Sequence, residues 1–194
     1  MGRTRAVSGL ALLGVIVAVL VIALVIAGGA SRRRASDPFA WLRPAEPPGG
    51  WRVARTPDGA TIAYPPAWTP INTDAGTVSV ALRGRGGTID DYLNVTPRQG
   101  AETLANWSRF RPEKNRAEGS RDVQLLAATN HARFRSADGA CVLDAYTTSI
   151  TRYEEIACLV AGPKSSDVVV AAAPIRLWSS RSPVLERAVA DFVV

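Results

Sequence analysis

The chain has 194 residues, 47% hydrophobic and 21% charged, which excludes wholesale disorder and allows one domain with a tail rather than two full domains. A net charge of +6 and a pI of ≈ 10.0 would by themselves suggest a binder of nucleic acid or membrane surface. The distribution excludes the first: residues 1–50 carry six Arg against Asp37 and Glu46, whereas residues 51–194 carry 17 basic and 15 acidic side chains and are close to balanced.

Residues 7–27 contain no charge, and Ser8 is their single polar side chain. At ~1.5 Å per residue, about 21 helical residues span roughly 30 Å, the hydrocarbon thickness of a bilayer. The run is apolar on every face and lacks the polar stripe of a soluble core helix. The expectation is therefore a transmembrane anchor within residues 1–30, in contact with the bilayer over 7–28. Gly28, Gly29 and Ala30 could serve as a small-residue cleavage site. Against this, the run exceeds the roughly 7–15 apolar residues of a signal peptide, and Arg32, Arg33 and Arg34 follow at once. Arg3 and Arg5 flank the other end, so the positive-inside comparison is nearly a tie and leaves the orientation open.

Residues 31–50 hold Pro38, Pro44, Pro47, Pro48, Gly49 and Gly50, and read as an extended linker. Its apolar patch, Phe39, Ala40, Trp41 and Leu42, fits either a membrane interface or a docking segment on the domain. From residue 51 the pattern becomes that of strands. Residues 51–55 and 60–64 alternate around Pro57, Asp58 and Gly59, a hairpin with its turn. Pro65 and Pro66 end the second strand. Strands are expected over 76–82 and 92–96, with Gly84, Gly86 and Gly87 as the turn between them. A helix is expected over 101–111, limited by Pro112. Residues 122–128 and 131–136 read as two further strands, and Asp138-Gly139 as a tight turn.

Cys141 and Cys158 are the two cysteines of the chain. Their segments are strand-like, and a hairpin folded about Ser149 and Ile150 sets them opposite each other, because both are equidistant from the turn. Opposed residues lie about 4.5–5.5 Å apart at Cα, within reach of a disulfide. The competing reading is a pair of buried thiols. A disulfide places the domain outside the cytoplasm, which breaks the topological tie: N-terminus inside, C-terminal domain outside. Residues 167–173 read as a buried strand ended by Pro174. Ser182 and Pro183 suit the start of a closing helix, with Val184, Leu185, Ala188, Val189 and Phe192 on one face.

The resulting fold class is α+β: one transmembrane helix over 1–30, a linker over 31–50, and over 51–194 an antiparallel sheet covered by two main helices. The hairpin running through Ile62, Ala63 and Tyr64 into Pro65, Pro66, Ala67 and Trp68 resembles the aromatic-Pro-x-x-Trp entry of the PsbP-like α/β sandwich. The mid-chain helix, the run of strands and the closing helix ending at Phe192 are similar to the same fold. The resemblance covers about residues 51–194. It implies a partner-binding or scaffold role and no shared catalytic set.

Sequence motifs for chemistry are sparse. His131 is the one histidine, too few for a zinc site beside paired cysteines, and no metal or cofactor is expected. The Thr-Leu-x-Thr-Cys pattern of sortase transpeptidases does not precede Cys158, and a disulfide would remove that nucleophile. No nucleophile elbow, phosphate loop or EF-hand loop is present. Asp90-Asp91 and Glu154-Glu155 are neighbours on strands, so each pair points to opposite faces. Arg109, Arg111, Lys114, Arg116 and Arg121, interleaved with Glu113, Glu118 and Asp122, read as a solvated helix end or as a contact for an anionic surface. The expected function is an extracytoplasmic, membrane-anchored binding or scaffold protein, not an enzyme, with an unidentified protein or envelope component as partner. The alternatives are a cell-envelope enzyme with an unrecognised site, and an N-out protein with a cytoplasmic domain.

Overall fold

The computed structural model describes residues 37–135 and 137–194. The expected anchor, its flanking Arg3, Arg5, Arg32, Arg33 and Arg34, and the start of the linker lie outside the described residues. Among the described residues, no helix is long and apolar enough to cross a membrane.

Two strands, β1 (Arg52–Arg55) and β2 (Thr61–Tyr64), form the expected first hairpin, with Gly59 at φ 108° in its turn. The remaining strands are β3 (Thr69–Pro70), β4 (Val78–Arg83), β5 (Ile89–Pro97), β6 (Arg121–Arg133), β7 (Asp138–Thr147), β8 (Arg152–Ala161) and β9 (Ser166–Pro174). They build one antiparallel sheet in the order β3-β4-β5-β9-β8-β7-β6. Among the described residues two α-helices complete the fold, α1 (Trp107–Ala117) and α2 (Trp178–Ala190).

Alternation along the central strands gives the sheet two buried faces. On one, Val80, Leu93, Ile156, Val160, Val169 and Ala171 pack under Leu185, Ala188 and Val189 of α2, with Ile62, Trp68 and Phe192 beside them. On the other, Val142, Ala157, Leu159, Val168 and Val170 pack under Trp107 of α1. The Trp107 indole N–H is satisfied by the Ala157 carbonyl at 2.9 Å.

Residues 38–46, half of the stretch read as linker, form a strap on the α2 side. Phe39 is buried in the core and Trp41 and Leu42 pack against it. The Ala45 N–H donates to the Ala190 carbonyl at 3.1 Å, and Arg135 pairs with Glu46 at 2.8 Å. Of the two roles open for residues 39–42, docking on the domain is the one they take. Burial of Phe39 alone contributes roughly 1.5–3 kcal/mol.

Several local expectations need correction. The first helix starts at Trp107, not at 101. Thr103 and Asn106 hold the preceding turn by reciprocal bonds: the Thr103 N–H donates to Asn106 Oδ1 at 2.7 Å, and the Asn106 N–H to Thr103 Oγ1 at 3.2 Å. Pro112 sits inside the helix, forfeiting one backbone bond, and the helix runs on to Ala117, after which Gly119 at φ 90° closes a Schellman turn. The last helix likewise starts at Trp178, so Ser182 and Pro183 are internal rather than at its cap. The strands expected over 122–128 and 131–136 are one long strand, β6, bent by three register shifts. Asp138 and Gly139 pair with Arg133 and Ala132 within the ladder, and the turn lies before them, where the Phe134 N–H donates to the Ala137 carbonyl. Gly139 is required there for space: a Cβ would stand 2.5 Å from the Phe134 ring.

Candidate functional site

The hairpin of β7 and β8 has the register expected from its turn, Cys141 opposite Cys158, and the two sulfurs are bonded across a Cα separation of 4.1 Å. The cystine points into the α2 face, among apolar neighbours. Three residues nearer the turn the same register sets Asp144 opposite Glu155, on the α1 face. Both carboxylates are fully buried.

An ionised carboxylate in such a place must be paired. Glu155 accepts from Arg111 of α1 through both oxygens, Nε at 2.7 Å and Nη2 at 3.0 Å, and from the Tyr146 hydroxyl at 3.0 Å. Burial works against the Arg111 charge, but the Glu155 charge and hydrogen bonds outweigh it and raise its pKa. Burial, and then the negative Glu155, push the Tyr146 phenol up. Asp144 accepts a bond from the Asn115 amide at 3.2 Å. Burial first, and the facing Glu155 charge second, push its pKa to about 8, so it holds a proton at neutral pH. Titratable groups therefore converge across the strands here, although the adjacent acidic pairs along each strand diverge. The signal was present: 144 and 155 are as symmetric about the turn as 141 and 158.

α1 has 11 residues and so spans about 16 Å, against about 29 Å across seven strands. It lies over β6 and β7, reaches β8 and β9 through Trp107 and Arg111, and leaves uncovered the end of its face nearest the 148–151 turn. That end is a cleft of ≈ 570 Å³. Its floor is Tyr92, Ala172, Pro174, Tyr153 and Tyr146, which are neighbours through the ladder. The rings of Tyr146 and Tyr153 stack with centroids 6.0 Å apart and an interplanar angle of 28°. The turn of Gly84, Gly86 and Gly87, expected as such, forms one lip with Arg83 and Ile89. The turn at Thr148, Ile150 and Thr151 forms the other, where Ile150 is 83% exposed. Arg176 and Asp90 also border the cleft.

Tyr92 and Tyr146 separate the cleft from a polar cavity of ≈ 310 Å³ beneath α1, lined by Asn94, Thr96, Arg111, Asn115 and Glu155 among others. Both oxygens of Glu155 are taken by Arg111 and Tyr146, so the cluster fixes α1 and the Tyr146 ring at the edge of the cleft.

The basic stretch singled out in the sequence is dispersed. Arg111 turns inward, Arg109 and Lys114 meet Glu113 and Glu118 one helical turn on, and Arg116 donates to the Val123 carbonyl. His131 is exposed on β6 and does not line the cleft. Asp90 and Asp91 do diverge: Asp91 faces Arg181 of α2 at 3.4 Å while Asp90 borders the cleft. Among the described residues, no group of three or more His, Cys, Asp or Glu is placed to hold a metal ion.

No protein-family model and no curated protein matches the chain. Solved structures do. The solution structure of cyanobacterial PsbP (CyanoP) from Synechocystis sp. PCC 6803 is similar at a TM-score of 0.56 and 16% identity, over 76% of this chain and 94% of that one. The crystal structure of PA94, a Pseudomonas aeruginosa protein of unknown function, is similar at a TM-score of 0.50 and 11% identity, over 75% and 98%. At such identities the likeness shows the fold alone, and that fold is PsbP-like.

Proposed function

We propose that this chain is a binding protein of the cell envelope with no catalytic activity of its own. Residues 7–27 hold it to the membrane, the disulfide-bearing domain lies outside the cytoplasm, and a small ligand docks in the tyrosine cleft. The observation that carries the reading is the uncovered end of the α1 face: an apolar, aromatic-floored concavity of ≈ 570 Å³, within the range of about 300–1,000 Å³ common to small-molecule sites. The cystine supports an oxidising compartment. Glu155, held by Arg111 and Tyr146, lies in the cavity beneath α1 and does not line the cleft, which supports binding rather than catalysis there.

Screening the full chain by NMR against a mixed small-molecule library tests this. Hits are expected to move the ring signals of Tyr92, Tyr146 and Tyr153 and to be recovered unchanged. No hits, hits that move α2-face residues alone, or chemical conversion of a hit would end the reading. Alkaline phosphatase fused after Val194 is expected to be active; an inactive fusion, with a fluorescent cytoplasmic reporter in its place, would favour the N-out alternative.

A further inference from the structure

We infer that the cleft takes a planar aromatic ring bearing a single acid group. This rests on the cleft being a ligand site, and goes further by naming the chemical class of the ligand.

The ring follows from the floor. Ala172 is in register with Tyr92 on one side and Glu155 on the other, and Pro174 is in register with Tyr153. The Ala172 methyl is buried among these larger neighbours, and the partly exposed floor is therefore made by the tyrosines. The stacked rings of Tyr146 and Tyr153 present an aromatic surface to whatever enters. A flat π-system stacks on such a surface with favourable offset or tilted geometry, whereas a saturated ring of equal area does not gain that term.

The acid group follows from the lip. Arg83 at the end of β4 and Arg176 just after β9 both line the cleft. Among the described residues neither forms an ion pair; Arg83 donates to the Gly87 carbonyl at 3.4 Å. Asp90 stands on the same border. Two guanidinium groups against one carboxylate leave one positive charge to be met, which matches one acid group and disfavours both a cation and a dianion. A planar carboxylate also suits the fork of an arginine.

The full 194-residue chain, held in lipid nanodiscs, would be titrated by NMR with naphthoate, naphthamide and the saturated decalin carboxylate, reading the Tyr rings and the Ala172 methyl. Naphthoate is expected to bind in the cleft about two- to fivefold more tightly than naphthamide, the range for an exposed charge pair. Arg176→Gln should remove that preference while leaving naphthamide binding unchanged. The decalin acid should bind more weakly than naphthoate. Tyr153→Leu, with its melting temperature checked, should abolish the preference for naphthoate over the decalin acid by removing the aromatic surface. Equal binding of acid and amide, or tighter binding of the decalin acid, overturns the inferred ligand class and leaves the cleft reading standing. Failure of all three to move any cleft signal overturns the class and the cleft reading together.

Discussion

The two faces of one sheet do different work. The α2 face is closed: its helix, the β1–β2 hairpin and the strap at residues 38–46 cover it, and the cystine sits among apolar side chains. The α1 face is half open, and where it is closed it buries Glu155, Asp144 and Asn115, with Arg111 on Glu155, beside the apolar cluster under Trp107. Both helices begin with Trp-Ser and carry Pro in their sixth position, so their local sequences do not explain the difference. What differs is the sheet beneath them and the number of elements that share the covering. A face closed by three elements stabilises; a face closed by one short helix has room for a ligand.

The largest effect that would break this contrast is on the buried pair. Glu155→Leu strands the Arg111 charge and should cost about 3–5 kcal/mol, whereas Glu155→Leu with Arg111→Met should recover most of it. Urea unfolding of both variants checks this, and equal losses in the two would show that the pair is not the source of the cost. Next comes the cystine. Replacing Cys141 and Cys158 with Ala opens an 18-residue loop and should lower stability by roughly 3 kcal/mol, read as a fall in melting temperature of about 6–12 °C for a domain of this size. The position of the Tyr92 and Tyr146 ring signals should hold, because the cystine faces away from them.

A smaller effect is the pH dependence. Burial is the main cause raising Asp91 and Asp167 to about 6, Asp191 to about 7 and Asp144 to about 8, all from 3.8. Each binds its proton more tightly folded than unfolded, so stability falls as pH rises from about 4 to about 8, and Asp144 contributes the last part of the fall. Melting temperature should be higher near pH 5 than near pH 9. Asp144→Asn should flatten the curve between about pH 7 and 9, with a change on the order of 1 kcal/mol at its upper end; an unchanged slope would place the titration on the α2 face. The smallest effect is at the surface: Arg109→Ala and Lys114→Ala should each change stability by less than about 0.5 kcal/mol, as exposed pairs do.

Most strands were legible because alternation has a period of two and is written locally. The hairpins at residues 57–59 and 149–150 were legible because their turns stand between two alternating runs. The helix starts were not. Thr103 and Asn106 look like ordinary polar residues until their side chains are seen to hold the turn before Trp107. The cleft was not legible because its residues come from β4, β5, β7, β8 and β9, separated by up to most of the domain, and its existence depends on where α1 stops.

By itself the sequence determined the strand pattern, the 141–158 register and, through the same symmetry, the facing of Asp144 and Glu155. Those are consequences of backbone periodicity and of one turn. Tertiary structure decided which face each helix covers, that Phe39 docks rather than dangles, and that Arg111 leaves its basic neighbours for a buried carboxylate. These depend on which surfaces meet after the chain folds back on itself, and no local period encodes a meeting between residues 44 positions apart.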